Sequence, residues 1–209
     1  MARVGNSIFD IQGKIGDLVY YRYRGKNKVR KASSVKRTNP TELQLEHQAK
    51  FALMANFLRP LYDFLKITYK VSKNKTGYQK AFSQNFHEAL TGTYPSFSID
   101  YSKIRLGHGN LPNAMDPVVN SPEPGKLVFS WSENDWAGSM SSDQLYVAIY
   151  SGKLNRWIFA FNCAERYKHF WRMDAGSFTG TRVQIYIGFT SADRKRVSNT
   201  QYIGDLMVL

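Results

Sequence analysis

Few residues in this chain are placed to do chemistry. Cys163, Glu165 and His169 form the pattern C-x-E-x-x-x-H, and a cysteine with a histidine nearby could support a thiol nucleophile activated by an imidazole base. The spacing matches no signature that brings the three together, and free cysteine is among the most buried residue types. Cys163 therefore reads as a small packed residue, and the chain as not an enzyme. His108, in GHGN, has no second histidine or carboxylate cluster at zinc spacing beside it, so no metal and no other cofactor is expected. His47 and His87 lie on or near apolar helical stripes and read as rim residues of a core. Gly13, Gly16 and Gly25 resemble a phosphate-cradling loop in composition, but no G-x-x-x-x-G-K-[ST] is present, and tight turns around a hairpin are the expected role.

The stronger pattern is electrostatic. Between Tyr20 and Arg37 lie eight basic residues and no acidic one, and residues 1–40 carry +8 of the net +13. Such a segment attracts nucleic acid or an acidic protein surface. The candidate contact residues are Tyr21, Arg22, Tyr23, Arg24, Lys26, Lys28, Arg30, Lys31, Lys36 and Arg37, with tyrosines able to stack on bases and cations able to meet phosphates. The same composition also fits an ordinary exposed strand. Four tryptophans, Trp131, Trp136, Trp157 and Trp171, raise the possibility of a sugar platform. Trp131 in FSWS is expected to pack between sheets instead, which leaves Trp136 as the exposed one.

These residues need elements to hold them. Asp17–Arg24 alternates as a strand, with Val19, Tyr21 and Tyr23 on one side and Leu18, Tyr20, Arg22 and Arg24 on the other. Gly25-Lys26-Asn27-Lys28 reads as the turn and Val29–Val35 as the returning strand of a β-hairpin, so that the turn breaks any flat basic ladder. Asn39-Pro40-Thr41-Glu42 signals a helix start. Leu43, His47, Phe51, Met54, Leu58, Leu61 and Leu65 then make one apolar stripe, which Pro60 should divide into helices over about 40–58 and 60–70. A second helix runs through Tyr78, Phe82, Phe86 and Leu90, closed by Gly92.

Beyond it the period becomes two. Short strands are expected around Ser96–Leu106, Lys126–Ser132, Gln144–Tyr150, Arg156–Phe161, Arg182–Thr190 and Gln201–Leu209. The fold class is α+β: an N-terminal basic hairpin with helices over 1–110, a Pro-rich linker at 111–124, and an antiparallel immunoglobulin- or fibronectin-like β-sandwich over 125–209. The helical stripe should pack on the second helix and on the aromatic hairpin face, leaving the sandwich able to fold alone.

Length and 43% hydrophobic content allow a sizeable core, and a lone cysteine rules out an internal disulfide. The N-terminus lacks an apolar secretory core and no run is long enough to span a bilayer, so a soluble, cytoplasmic protein without a signal peptide is expected unless it is carried in a larger assembly.

The motifs G-K-x-G-x-x-V-x-Y-x-x-x-G-K-x-x-x-R at Gly13–Arg30, N-P-T-E-x-Q at Asn39–Gln44 and A-K-F-A-L-M at Ala49–Met54 resemble a family of uncharacterised proteins, a domain of unknown function common in Bacteroidota genomes. F-S-W-S at Phe129–Ser132, A-E-R at Ala164–Arg166, Y-I-G-F-T-S-A-D at Tyr186–Asp193 and S-N-T-x-Y at Ser198–Tyr202 extend the resemblance over nearly the whole chain. The first half is also similar, more loosely, to short proteins of bacteriophage structural gene clusters. Neither resemblance brings catalytic residues. With no catalytic constellation in the chain, the phage-like N-terminal pattern implies a structural or assembly protein, a virion component of a phage or phage-derived particle that docks through its basic N-terminal region, partnered by other particle subunits or by copies of itself, with no small-molecule substrate. The alternative is a cellular nucleic-acid-binding module using the basic hairpin.

Overall fold

The computed structural model describes residues 3–4, 11–23, 25–34, 39–69, 75–133 and 138–209 of the chain. They fall into two compact units, Met1–Glu42 and Leu43–Leu209.

The first unit is a four-stranded antiparallel meander in the order β1 (Arg3–Val4), β2 (Ile11–Ile15), β3 (Leu18–Tyr23) and β4 (Lys26–Lys31). The hairpin is present with a tighter turn than Gly25-Lys26-Asn27-Lys28. Tyr23 pairs with Lys26, Arg22 with Asn27 and Tyr21 with Lys28, so Lys26, Asn27 and Lys28 belong to the returning strand. The physical reason is Gly25, whose φ of +77° lets a two-residue connection reverse the chain.

The second unit begins with α1 (Glu42–Leu58), which starts at Glu42 rather than Pro40, and continues through a single 3-10 turn at Arg59–Leu61 into α2 (Tyr62–Thr68). Pro60 thus divides the helix as expected. After α3 (Gly77–Glu88), which opens with a capping box between Thr76 and Gln79, the chain departs from expectation. Leu90 and Gly92 do not close the helix; they lie in β5 (Leu90–Thr93), paired with β6 (Ser96–Ile99) as a hairpin, and a 3-10 turn at Tyr101–Lys103 follows.

Two facing antiparallel sheets come next. One has three strands in the order β11 (Phe170–Asp174), β8 (Lys126–Ser132), β7 (Met115–Asn120). The other has four, in the order β10 (Arg156–Ala160), β9 (Gln144–Ser151), β12 (Arg182–Thr190), β13 (Gln201–Met207). Leu127, Phe129, Trp131 and Met173 of the first meet Leu145, Val147, Ile149, Val183, Ile185, Ile187 and Phe189 of the second in one apolar cluster. Strand β7 lies inside the segment expected as a linker. It tolerates Pro117 because it is an edge strand and because its register with β8 shifts between Met115 and Val118.

The expected boundary at 111–124 is not where the compact units divide. Met54, Phe57, Leu58, Leu61, Phe64, Leu65 and Tyr69 bury their side chains against Tyr146, Ala148, Tyr150, Trp157 and Tyr186, which project from the outer face of the four-stranded sheet. The helices thus form a third layer over that sheet. Polar contacts lace the layers together: Tyr186 Oη donates to Tyr101 O at 2.9 Å, Thr68 Oγ1 to Leu106 O at 2.5 Å, and Asn85 exchanges hydrogen bonds with the backbone of Arg105 at 2.7 and 2.8 Å. These bonds help satisfy polar groups enclosed between the layers. No helix among the described residues is long and apolar enough to cross a membrane.

Candidate interaction surface

Directly opposed residues of an antiparallel ladder share a face, and faces alternate along each strand. Ile15 pairs with Leu18 across the turn at Gly16 and Asp17, where Gly16 has φ +56°. Lys14 then pairs with Val19, which pairs with Arg30 on its other side, while Tyr21 faces Lys28 and Tyr23 faces Lys26. One face of the meander therefore carries Lys14, Tyr21, Tyr23, Lys26, Lys28 and Arg30. The opposite face carries Ile11, Ile15, Leu18, Tyr20 and Val29, with Arg22 and Lys31 towards its ends.

This arrangement divides the sequence-derived set. Tyr21, Tyr23, Lys26, Lys28 and Arg30 come together; Arg22 and Lys31 lie on the other side of the sheet; Arg24, Lys36 and Arg37 lie outside the described residues. Lys14 joins the cationic face and was missed, although G-K-x-G contains it, because β2 had not been read as a strand. The cations on β4 recur every second residue, so they form a row on one face despite the turn. Lys28 Nζ lies over the Tyr23 ring, 5.1 Å from its centroid, a cation–π contact that holds the two side chains together.

The aliphatic face is as distinctive. Ile15, Leu18 and Val29 are 48%, 41% and 51% exposed, which is far more than β-branched and leucine side chains keep in a covered sheet.

The remaining candidates are built into the second unit. The Cys163 thiol packs against the cluster between the sheets, and burial pushes it up to about 12, so it stays protonated at neutral pH. Glu165 is engaged by Lys168 at 3.7 Å. His108 stacks on Tyr69 with ring centroids 6.0 Å apart, and burial, with Lys80 and Arg105 nearby, lowers its pKa. His47 packs on Phe86, as expected of a core-rim residue. No group of three or more metal-ligating side chains occurs among the described residues. Trp131 packs between the sheets as expected, against Phe189, with its Nε1 donating to Arg166 O at 2.8 Å. Trp157 is buried beneath α1, and Trp136 lies outside the described residues.

Sequence reasoning missed one buried polar centre. Arg166, inside the A-E-R motif, donates through Nε to Asp143 at 3.1 Å and through its two terminal nitrogens to Asn113 O at 3.1 Å and Pro112 O at 2.8 Å. Its guanidinium also lies over the Phe189 ring, 3.8 Å from the centroid. It ties the segment entering β7 to the loops beside β9 and β11. A cleft of about 430 Å³ beside Arg105 and Tyr202 has its charges engaged internally, Arg105 with Glu88 and Lys103 with Asp100, each at 3.2 Å.

The family model for a family of unknown function, DUF6266, matches residues 10–204, and the chain belongs to that family. The chain is similar to the fn3 domain of human collagen alpha-1(XX) chain, known from solution structures, at 10% identity over 49% of this chain and 89% of that one, with a TM-score of 0.37. No curated protein matches the chain.

Proposed function

We propose that this is a non-enzymatic structural protein that assembles with copies of itself, as a subunit of a phage or phage-derived particle. The observation that carries the reading is the aliphatic face of the N-terminal meander, with Ile15, Leu18 and Val29 open to solvent. Two such sheets stacked face to face would bury both aliphatic surfaces at the roughly 10 Å spacing of packed sheets. A contact of this kind is self-complementary, as a twofold dimer requires. Arg22 and Lys31 sit near the ends of the face, where long stems can lie over apolar surface while the charges reach water.

The sandwich in this reading is a fibronectin-type module. Seven strands in two antiparallel sheets are the size and layering of that group. The fourth strand, β10, pairs with β9 of the second sheet, not with the first sheet as in constant-type immunoglobulin domains. The half-buried Cys163, whose thiol is pushed up to about 12, supports the non-enzymatic side of the reading, since the best nucleophile in the sequence is held as a thiol.

Gene context and particle composition test it. Neighbouring genes for capsid, portal or tail proteins, and this chain recovered by mass spectrometry from purified particles, are the expected results. An isolated gene among metabolic neighbours, with no particle containing the chain, would overturn it.

A further inference from the structure

We infer that the cationic face of the N-terminal meander is a binding platform for an extended single strand of nucleic acid. The inference goes beyond the assembly role and rests on the other side of the sheet.

The strand alternation sets the geometry. Lys26, Lys28 and Arg30 stand on one face of β4 at intervals of about 6.7 Å, twice the rise per strand residue. Beside them on β3, about 4.8 Å away, Tyr21 and Tyr23 stand in a parallel row at the same interval, opposite Lys28 and Lys26 respectively. Lys14 on β2 completes the patch on the far side of Val19. Each ring thus has a cation directly across the ladder, and the pairing repeats along the strand. A single strand offers the matching pattern, a line of phosphates with unpaired bases displaced to one side. Sheets that carry aromatic side chains on an open face use this arrangement to stack bases, with cations tracking the backbone.

The charge is available for such a ligand. Among the described residues, no carboxylate forms an ion pair with Lys14, Lys26, Lys28 or Arg30. Tyr21 and Tyr23 are 39% and 50% exposed, and Lys28 already lies over the Tyr23 ring as a cation would beside a stacked base. A duplex fits less well, because its bases are stacked inside the helix and a flat sheet can reach only its phosphates. An acidic protein surface would use the cations and leave the regular tyrosine row without a role.

The test is a titration of the full chain with an oligothymidylate of about twelve nucleotides at several salt concentrations. Binding is expected, with log K falling linearly against log salt. Replacing Lys26, Lys28 and Arg30 together with glutamine should lower the slope by about 2 and the affinity by about a hundredfold near 0.1 M salt. Tyr21→Ala and Tyr23→Ala should each weaken binding about tenfold with the slope unchanged, because stacking releases no counterions. Arg22→Gln with Lys31→Gln, on the opposite face, should leave slope and affinity as they were. Lys26→Arg with Lys28→Arg should bind as the parent does, which separates lost contacts from lost folding. The inference is overturned by absence of binding at low salt, by equal losses from the two faces, by tyrosine variants that bind normally, or by polyglutamate competing as well as the oligonucleotide. None of these outcomes depends on self-association, which the other face governs.

Discussion

The indole nitrogen of Trp157, on β10, donates to the backbone carbonyl of Phe57, near the end of α1, across 2.9 Å. The same indole packs on the Phe57 ring and on Tyr150, with centroids 5.0 and 4.9 Å away. One residue thus joins the helical layer to the edge of the four-stranded sheet. Trp157→Phe keeps a ring but removes the donor and leaves a small void, so it should destabilise the chain by about 2–3 kcal/mol, read from urea unfolding. A change below about 0.5 kcal/mol would mean that the layers are held elsewhere.

The same interface predicts the behaviour of fragments. Residues 122–209 alone would lose the edge strand β7 and would uncover Tyr146, Tyr150, Trp157 and Tyr186, an aromatic surface normally closed by α1 and α2. This fragment should aggregate or give collapsed amide NMR spectra, while 43–209 should give dispersed ones. A well-dispersed spectrum from 122–209 would show that the sandwich folds without its helical cover.

Much of this architecture was legible in the sequence, and the losses have physical reasons. The helix and its division at Pro60 could be read, because periodicity and proline act locally, but the front of the stripe stays open: Leu43 and Phe51 are 77% and 52% exposed, and burial begins at Met54. Strands β8 and β12 were placed to the residue. The stripe packs partly on α3, as expected, with Phe51 against Phe82 and His47 against Phe86; the burial of its C-terminal half on the four-stranded sheet is what the helix pattern alone does not show. The clue lay in β9, where LYVAIY is apolar at both parities, the mark of a strand buried on both faces. Strand β7 was hidden by Pro117, and the Arg166 centre by the distance in sequence between Arg166 and its partners at 112, 113 and 143. In the N-terminal unit, composition identified the cations, but only the register could assign them to faces.

Arg166 gives a third prediction. Arg166→Met would leave the buried Asp143 carboxylate without its cation and remove the guanidinium donors to Asn113 O and Pro112 O, at a cost of about 3–5 kcal/mol. Arg166→Lys keeps the charge without the planar fork and should recover only part of this. Denaturant unfolding of both variants checks the order; equal stability of parent and Arg166→Met would contradict it.

Cys163 provides a test by pH. Its thiol rises from 9.0 to about 12 on folding, so the folded state favours the neutral form. The stability it contributes is fully present below pH 9 and is lost as pH rises towards 12. Iodoacetamide at pH 8 should therefore alkylate the native chain far more slowly than the urea-unfolded chain, with the native rate following the opening equilibrium. Alkylation at the same rate in both states would show an accessible thiolate.

Sedimentation velocity of the full chain at micromolar concentration tests self-assembly through the aliphatic face most directly. The parent should sediment as a dimer or larger species, Leu18→Asp with Val29→Asp as a monomer, and Lys26→Gln, on the opposite face, as the parent does. A parent chain that stays monomeric throughout, or a Leu18→Asp and Val29→Asp variant that associates as strongly as the parent, would contradict the proposed assembly.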